Sequence, residues 1–585
     1  MTKSRTDIKA DLARRIDQAL GRTEADLVIK NVRMLNIATG EIVRTDIAIC
    51  GERIVGTYDS DYRGRIEIDG SGLYAVPGFI DTHVHPESTL VQPAEFDRLV
   101  LSRGTTTAIA DPHEITNVLG VAGLRYFLDA SLELAMDLRI NLSSCVPASA
   151  METSGARLEA DDLVMLRDHP KVIGLAEFMN FPGVLAKDDA VLDKLAAFDG
   201  WHIDGHSPLL GGRGLNGYLS CGIRNCHEVT HPEEAREKLR KGMQVLIRDG
   251  SVTRDVEALA GLIDMTRAPF LAFCTDDRTP LHIAEDGHID YLIRTAIAKG
   301  APLDAVYRTA TWSAARGFGF TDRGMLAPGY LADVVLLRDL EHCEVESVIR
   351  RGRLVDAETF AARQPVPPIG FGSIKRSPVT PALFRAACKG PRGPVIGLVP
   401  QKIITDHLTL DLPYHDGARH ADPAADVLKV AVLERHGRNG NVGRGFVKGF
   451  GIARGAIASS IGHDAHNIIT VGSNDADMAL AVNRLIELQG GFVAVQDGVV
   501  LADLALPIAG LMSDRPAEEV EHRLRILRDR LRDMGCRLDE PFVQLAFLPL
   551  SMIPHLKITD HGLIDADNFQ LISLDEERLD DPAAQ

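Results

Sequence analysis

The stretch PGFIDTHVHPEST, residues 77–89, puts His83 and His85 two positions apart at the close of an apolar run. Side chains two apart on a strand project to one face, so both imidazoles point the same way. Buried imidazoles need partners, and a neutral ring can offer a nitrogen to a metal ion. A lone His-x-His is more often a hydrogen-bonded core pair, so its meaning rests on what the rest of the chain places beside it.

Working outward from Pro77, strand-like runs recur at FIDTHVH, TTTAIADP, RINLSSCVP, VIGLAEFM, WHIDGHS, IRNCHEVT, MQVLIRDGS and PFLAFCTDD. Helical patterns such as LVMLRDH, EEAREKLRKG and RDVEALAGLIDMTR lie between them. This rhythm predicts an α/β fold with a (β/α)8 TIM-like barrel over residues 77–321. No glycine-rich phosphate turn follows any of the runs, which argues against an open doubly wound sheet. Short alternating runs on both sides, in 26–76 and 322–365, predict one small β domain built from the flanking segments. A helical segment over 1–25 precedes it. After a Pro- and Gly-rich linker, residues 366–585 read as a C-terminal α+β domain.

The chain has 585 residues and a formal net charge of −18, with 64 Lys and Arg against 82 Asp and Glu. An acidic surface of this kind speaks against nucleic acid or an anionic membrane as a partner. The start is charged throughout and resembles no secretory leader, and no apolar run approaches the ~18 residues of a membrane span. The eight cysteines are scattered without a CxxC pair. A cytoplasmic protein acting on a small molecule is the expectation.

The other strand ends give the histidine pair its context. LAEF supplies Glu177, DGHS His206, NCHE His227, and CTDD Asp276 and Asp277. Functional residues of such barrels gather at the C-terminal ends of the strands. Four histidines and several carboxylates converging at one mouth predict a metal centre. Two divalent ions about 3.5–4 Å apart can hold a hydroxide between them. His83, His85 and Asp276 would serve one ion, His206 and His227 the other, and Glu177 would bridge. A nitrogen and oxygen donor set without thiolate suits Mn, Fe or Zn. Alternation turns Cys226 and Cys274 to the opposite face, as packing residues.

With those residues in hand, the chain resembles the adenine deaminase branch of the amidohydrolase superfamily. The resemblance runs through PGFIDTHVHPEST, GTTTAIADPHEITNVLG, SCVPA, LAEFMNFPGV, IDGHSPLL, FCTDD and EDGHIDYLIR. It continues in the third domain through GFGIARGAIASSIGHDAHNIITVGSNDADMALAVNRLIE and LPIAGLMSD. Many binuclear relatives bridge their metals with a carboxylated lysine; Glu177 at that place counts against hydantoinase or dihydroorotase chemistry. The resemblance implies two divalent metal ions per subunit, with Mn or Fe ahead of Zn, adenine as substrate, and a homo-oligomer, dimer or tetramer. It also implies attack of metal-held hydroxide at C6 of adenine, with Asp276 carrying the proton toward the leaving amine. Other readings are a related hydrolase of another purine or a cyclic amide, and a scaffold that has lost its chemistry. The scaffold is disfavoured because all six ligand positions are filled.

Ring nitrogen N1 must gain a proton as C6 becomes tetrahedral, so a donor is needed above the site. The loop ADPHEITN makes His113 and Glu114 the candidates, with Glu114 and Asp277 also placed as substrate-binding residues. The alternative is that Asp111 and Glu114 merely cap the following helix. In the third domain, GHDAHN carries His463, Asp464, His466 and Asn467. A polar turn or interface network is the simpler reading of these; closing of the pocket is the functional one. The charged helix AEEVEHRLRILRDRLRDMG is read as a solvated or subunit-facing surface.

Overall fold

A computed structural model describes residues 4–575. Eight barrel strands lie where the apolar runs predict them: β1 (Phe79–Val84), β2 (Thr105–Ala110), β3 (Asp137–Leu142), β4 (Val172–Phe178), β5 (His202–Gly205), β6 (Asn225–Cys226), β7 (Gln244–Arg248) and β8 (Leu271–Cys274). β1 to β5 form one parallel ladder and β6 to β8 another. The ring closes through Asp276, whose amide donates to the His83 carbonyl at 3.0 Å while its carbonyl accepts from the His85 amide at 3.3 Å. Asp276 adopts φ 55°, a left-handed conformation that costs a non-glycine residue ~1–2 kcal/mol and that these closing bonds offset. β1 is buried at every position because helices cover it outside and side chains fill the barrel inside.

A separate mixed sheet joins strands from both flanks, with Tyr74–Pro77 paired antiparallel to Val334–Asp339. The sheet thus brackets the barrel in sequence and fixes the point where the chain enters β1. The third domain centres on an eight-stranded sheet backed by the helix Asp475–Leu488. It sits on the barrel mouth: Asn467 Nδ2 donates to the Thr153 carbonyl at 2.9 Å, and Ser149 and Ser551 hydroxyls bond at 2.8 Å. The charged helix, Ala517–Asp533, is solvated along its charged face, as its sequence reading expects, but packs its other face against the chain. Val520, Leu524, Leu527 and Leu531 are buried, and Arg528 holds Glu285 of a barrel helix at 2.8 Å. Its leucines recur at three- and four-residue spacing, and that face is spent within the chain. Among the described residues, no helix is long and apolar enough to cross a membrane.

At the start of β3, on the side opposite the histidines, Asp137 is fully buried with Lys171 Nζ and Arg323 Nη1 each 2.7 Å away. Burial opposes its ionisation, but Lys171 and Arg323 hold the carboxyl far below the usual carboxylate range. A depressed folded value contributes stability above the unfolded value of ~3.9, lost as pH falls through the folded one. Asp137→Asn strands the buried Arg323 and the half-buried Lys171, so a loss of about 3 kcal/mol at pH 7 is expected. Thermal unfolding of both proteins should show that gap narrowing once the pH drops below about 4.

Candidate active site

At the C-terminal strand ends, β1 delivers His83 and His85, β4 Glu177, and the exits of β5, β6 and β8 deliver His206, His227 and Asp276. All six are buried. His85 spends its Nδ1 on the Asp111 carbonyl at 2.9 Å, which leaves Nε2 with a lone pair. That nitrogen faces His83 Nε2 at 3.1 Å, Asp276 Oδ1 at 3.1 Å and Glu177 Oε1 at 3.3 Å. Glu177 divides the remaining rings: Oε1 lies toward His83 and His85, while Oε2 meets His206 Nδ1 at 2.6 Å and His227 Nε2 at 3.3 Å.

Lone pairs and carboxylate oxygens converging in a water-poor space repel unless a cation stands among them. The electrostatics follow this arrangement. Burial and the neighbouring His227 push His83 down to about 3, so it is a neutral ring. Burial opposes charge on His227 too, but Glu177 and Asp276 push it up to about 9. Burial likewise works against Glu177 and Asp276, yet the surrounding histidines, and Arg248 beside Asp276, hold both well below the carboxylate range. The field that attracts protons to these rings is one a divalent ion answers. His83 Nδ1, His206 Nε2 and His227 Nδ1 are buried without a hydrogen-bond partner in the protein. Two overlapping groups, His83–His85–Asp276 and His83–Glu177–His227, have the donor types and spacing of metal sites. The cluster fits divalent metal.

The loop after β2 carries His113 and Glu114 over the cluster. His113 Nδ1 lies 3.0 Å from Asp111 and 3.4 Å from Glu177. The capping alternative does not hold for Glu114: the helix His113–Leu119 has no side-chain cap, and Glu114 turns away to the third domain. There His463 Nδ1 lies 2.9 Å from its Oε1, and His466 Nε2 contacts its Oε2. His463 and Asp464 therefore line the same cavity as the barrel residues, beside Asp277. The interface-network reading of GHDAHN holds for His463, His466 and Asn467, and the pocket-closing one holds as well for His463 and Asp464. The turn is held by Arg435, fully buried, whose guanidinium bonds the His466 and Ala509 carbonyls.

Sequence reasoning missed Glu228 and Arg248. Arg248 grips Glu228 with both terminal nitrogens, reaches Asp276 Oδ2 at 2.8 Å and lies 3.4 Å from Asp255. Its signal was a charged residue ending the apolar run VLIR, the same signal that marked the histidines. Cys226 behaves as read: it is buried on the outer side, 3.3 Å from Lys238 Nζ. A larger cavity of about 640 Å³ lies between Ser251 and Glu540, but none of the converging histidines lines it.

Residues 74–355 match the model of the amidohydrolase family, and residues 402–570 match that of the adenine deaminase C-terminal domain. The adenine deaminase of Methylobacterium nodulans is 59% identical over 564 residues, covering 96% of this chain and 100% of the relative. That of Cereibacter sphaeroides is 59% identical over 567 residues, covering 97% and 100%. The adenine deaminase of Brucella anthropi is 57% identical over 561 residues, covering 96% and 100%.

Proposed function

The chain belongs to the adenine deaminase family of amidohydrolases, and from that premise we propose that it hydrolyses adenine to hypoxanthine and ammonia, serving purine salvage. The observation that carries the reading is Glu177, whose two oxygens face two separate sets of histidines at the barrel mouth. His83, His85 and Asp276 would hold one divalent ion and His206 and His227 the other, with Glu177 between them. Mn or Fe is the first choice, and the donor set also accepts Zn. Metal bound there supplies the Lewis acidity that makes water nucleophilic at neutral pH.

The chain's own groups do the rest. Asp276 takes a proton from the attacking water and passes it to the departing amine, its free oxygen oriented by Arg248. His113 and Asp277 form the polar wall that the purine ring meets, with Glu114 behind it on His463 and His466, and N1 takes up its proton on that side. The third domain roofs the site with Phe547 and Leu550, which exclude bulk water and strengthen each of these contacts.

The test is adenine consumption and ammonia release by protein stripped of metal and reloaded separately with Mn, Fe and Zn. Turnover should vanish on stripping and return with two equivalents. Two equivalents bound with adenine untouched would keep the centre and sink the substrate. Other purines and cyclic amides would then be screened.

A further inference from the structure

We propose that His463, carried by the C-terminal domain, is the acid that protonates the purine ring, with Glu114 holding its other nitrogen. The inference rests on the adenine reading above and assigns the donor that the reading requires. His463 Nδ1 is 2.9 Å from Glu114 Oε1, while its Nε2 faces the cavity, 4.0 Å from Asp277 Oδ2. An imidazole with one nitrogen on a carboxylate and the other presented to a reacting centre is the geometry of general acid–base catalysis. His466, three residues on, contacts the second oxygen of Glu114. Two rings of one domain thus hold a carboxylate of the other, and Glu114 fixes the tilt of His463 across the interface.

The neighbouring charges agree with this division of labour. Burial opposes charge on His463, but Glu114 and Asp277 push it up to about 9, so it carries a proton at neutral pH. Burial also works against Glu114, yet His463, His466 and His113 hold it well below the carboxylate range, so it has no proton to give. Burial, assisted by His463 and Arg435, pushes His466 down to about 4 despite Glu114, which leaves it neutral. Asp464, beside His463 in the chain, is pushed up to about 6 by burial and nearby carboxylates, against the pull of His113 and His463. Glu114 is then a positioning residue acting through His463.

The protons balance. As the water oxygen bonds to C6, His463 Nε2 gives its proton to N1 and Asp276 takes one proton of the water. As the C6–N bond breaks, Asp276 returns that proton to the amine, which leaves as ammonia. The remaining water proton, shed as C6–OH becomes C6=O, returns to His463 by way of Asp277. One water is consumed, and the protein ends as it began.

The experiment compares metal-loaded wild type with His463→Gln and His463→Gly. Metal content, adenine kcat and KM, and rescue by added imidazole are measured for each. Gln keeps a neutral donor near the Nε2 position but cannot release a proton. Its kcat should fall by about 10²–10³-fold, with KM within about threefold of wild type and the full metal complement retained. Imidazole should raise turnover of the Gly variant by about tenfold or more, which a merely structural role would not allow. A Gln variant within about threefold of wild-type kcat, lost metal in the Gln variant, or no imidazole rescue would each overturn the assignment. Wild type that loads metal and leaves adenine untouched would instead defeat the adenine reading, so the two failures are distinguishable.

Discussion

Replacing Asp276 with Asn lowers adenine kcat by about 10⁴-fold, a barrier increase of about 5 kcal/mol, while the protein still folds and binds metal. The size follows from what the carboxylate does at its position. Its Oδ1 lies 3.1 Å from His85 Nε2 and its Oδ2 lies 2.8 Å from Arg248, so one side chain joins the histidine cluster to a buried cation. Asn keeps an oxygen for the cluster and a similar volume, which is why metal content should survive. It cannot accept a proton from water and release it again, so both halves of the reaction lose their carrier. Steady-state turnover and metal analysis of the same preparation decide the matter. Activity within tenfold of wild type would assign proton transfer to another group, and Glu228 would be next to test.

Much of this site was legible because strands impose parity. His83 and His85 are two apart, and Glu177, His206, His227 and Asp276 each close an apolar run, so alternation and chain direction alone bring them to one mouth. The rhythm of runs was enough to place all eight barrel strands, including β6, which is only the two residues Asn225–Cys226. Parity fails one residue past a strand end, where the chain turns freely. Glu228 follows His227 directly and by alternation belongs to the other face, yet it meets Arg248 inside the site. The left-handed turn at Asp276 is invisible for the same reason: no local pattern announces a non-glycine residue held at φ 55° by tertiary bonds.

The C-terminal domain was harder to read, because contacts across an interface leave no period in the sequence. His463 is more than three hundred residues from Glu114, and His-x-x-His on a turn has no face by which to judge it. What the sequence did carry was composition. GHDAHN packs four polar residues into six positions between apolar strands, which is costly to bury unless partners wait on the other side. Arg435, Glu114 and Asp277 are those partners, and they lie in three different segments.

Arg248→Met is expected to be the most damaging single change to stability. The guanidinium is fully buried and answers Glu228, Asp276 and Asp255 at once. Removing one partner of a buried ionic network leaves uncompensated charge and costs about 3–5 kcal/mol, whereas exchanging a whole pair for apolar residues can be neutral. For a barrel of this size that corresponds to a drop of about 6–20 °C in the unfolding midpoint. The deficit should be larger in metal-free protein, since divalent ions supply positive charge to the same carboxylates. Turnover should fall as well, by about 10²-fold, because Asp276 loses the donor that fixes its free oxygen. Arg248→Lys separates the two effects. A lysine restores charge without the forked geometry that grips Glu228 with two nitrogens. It should recover more of the midpoint than of kcat. Equal recovery of both would mean that charge alone, and not the orientation of Asp276, is what Arg248 contributes to the chemistry.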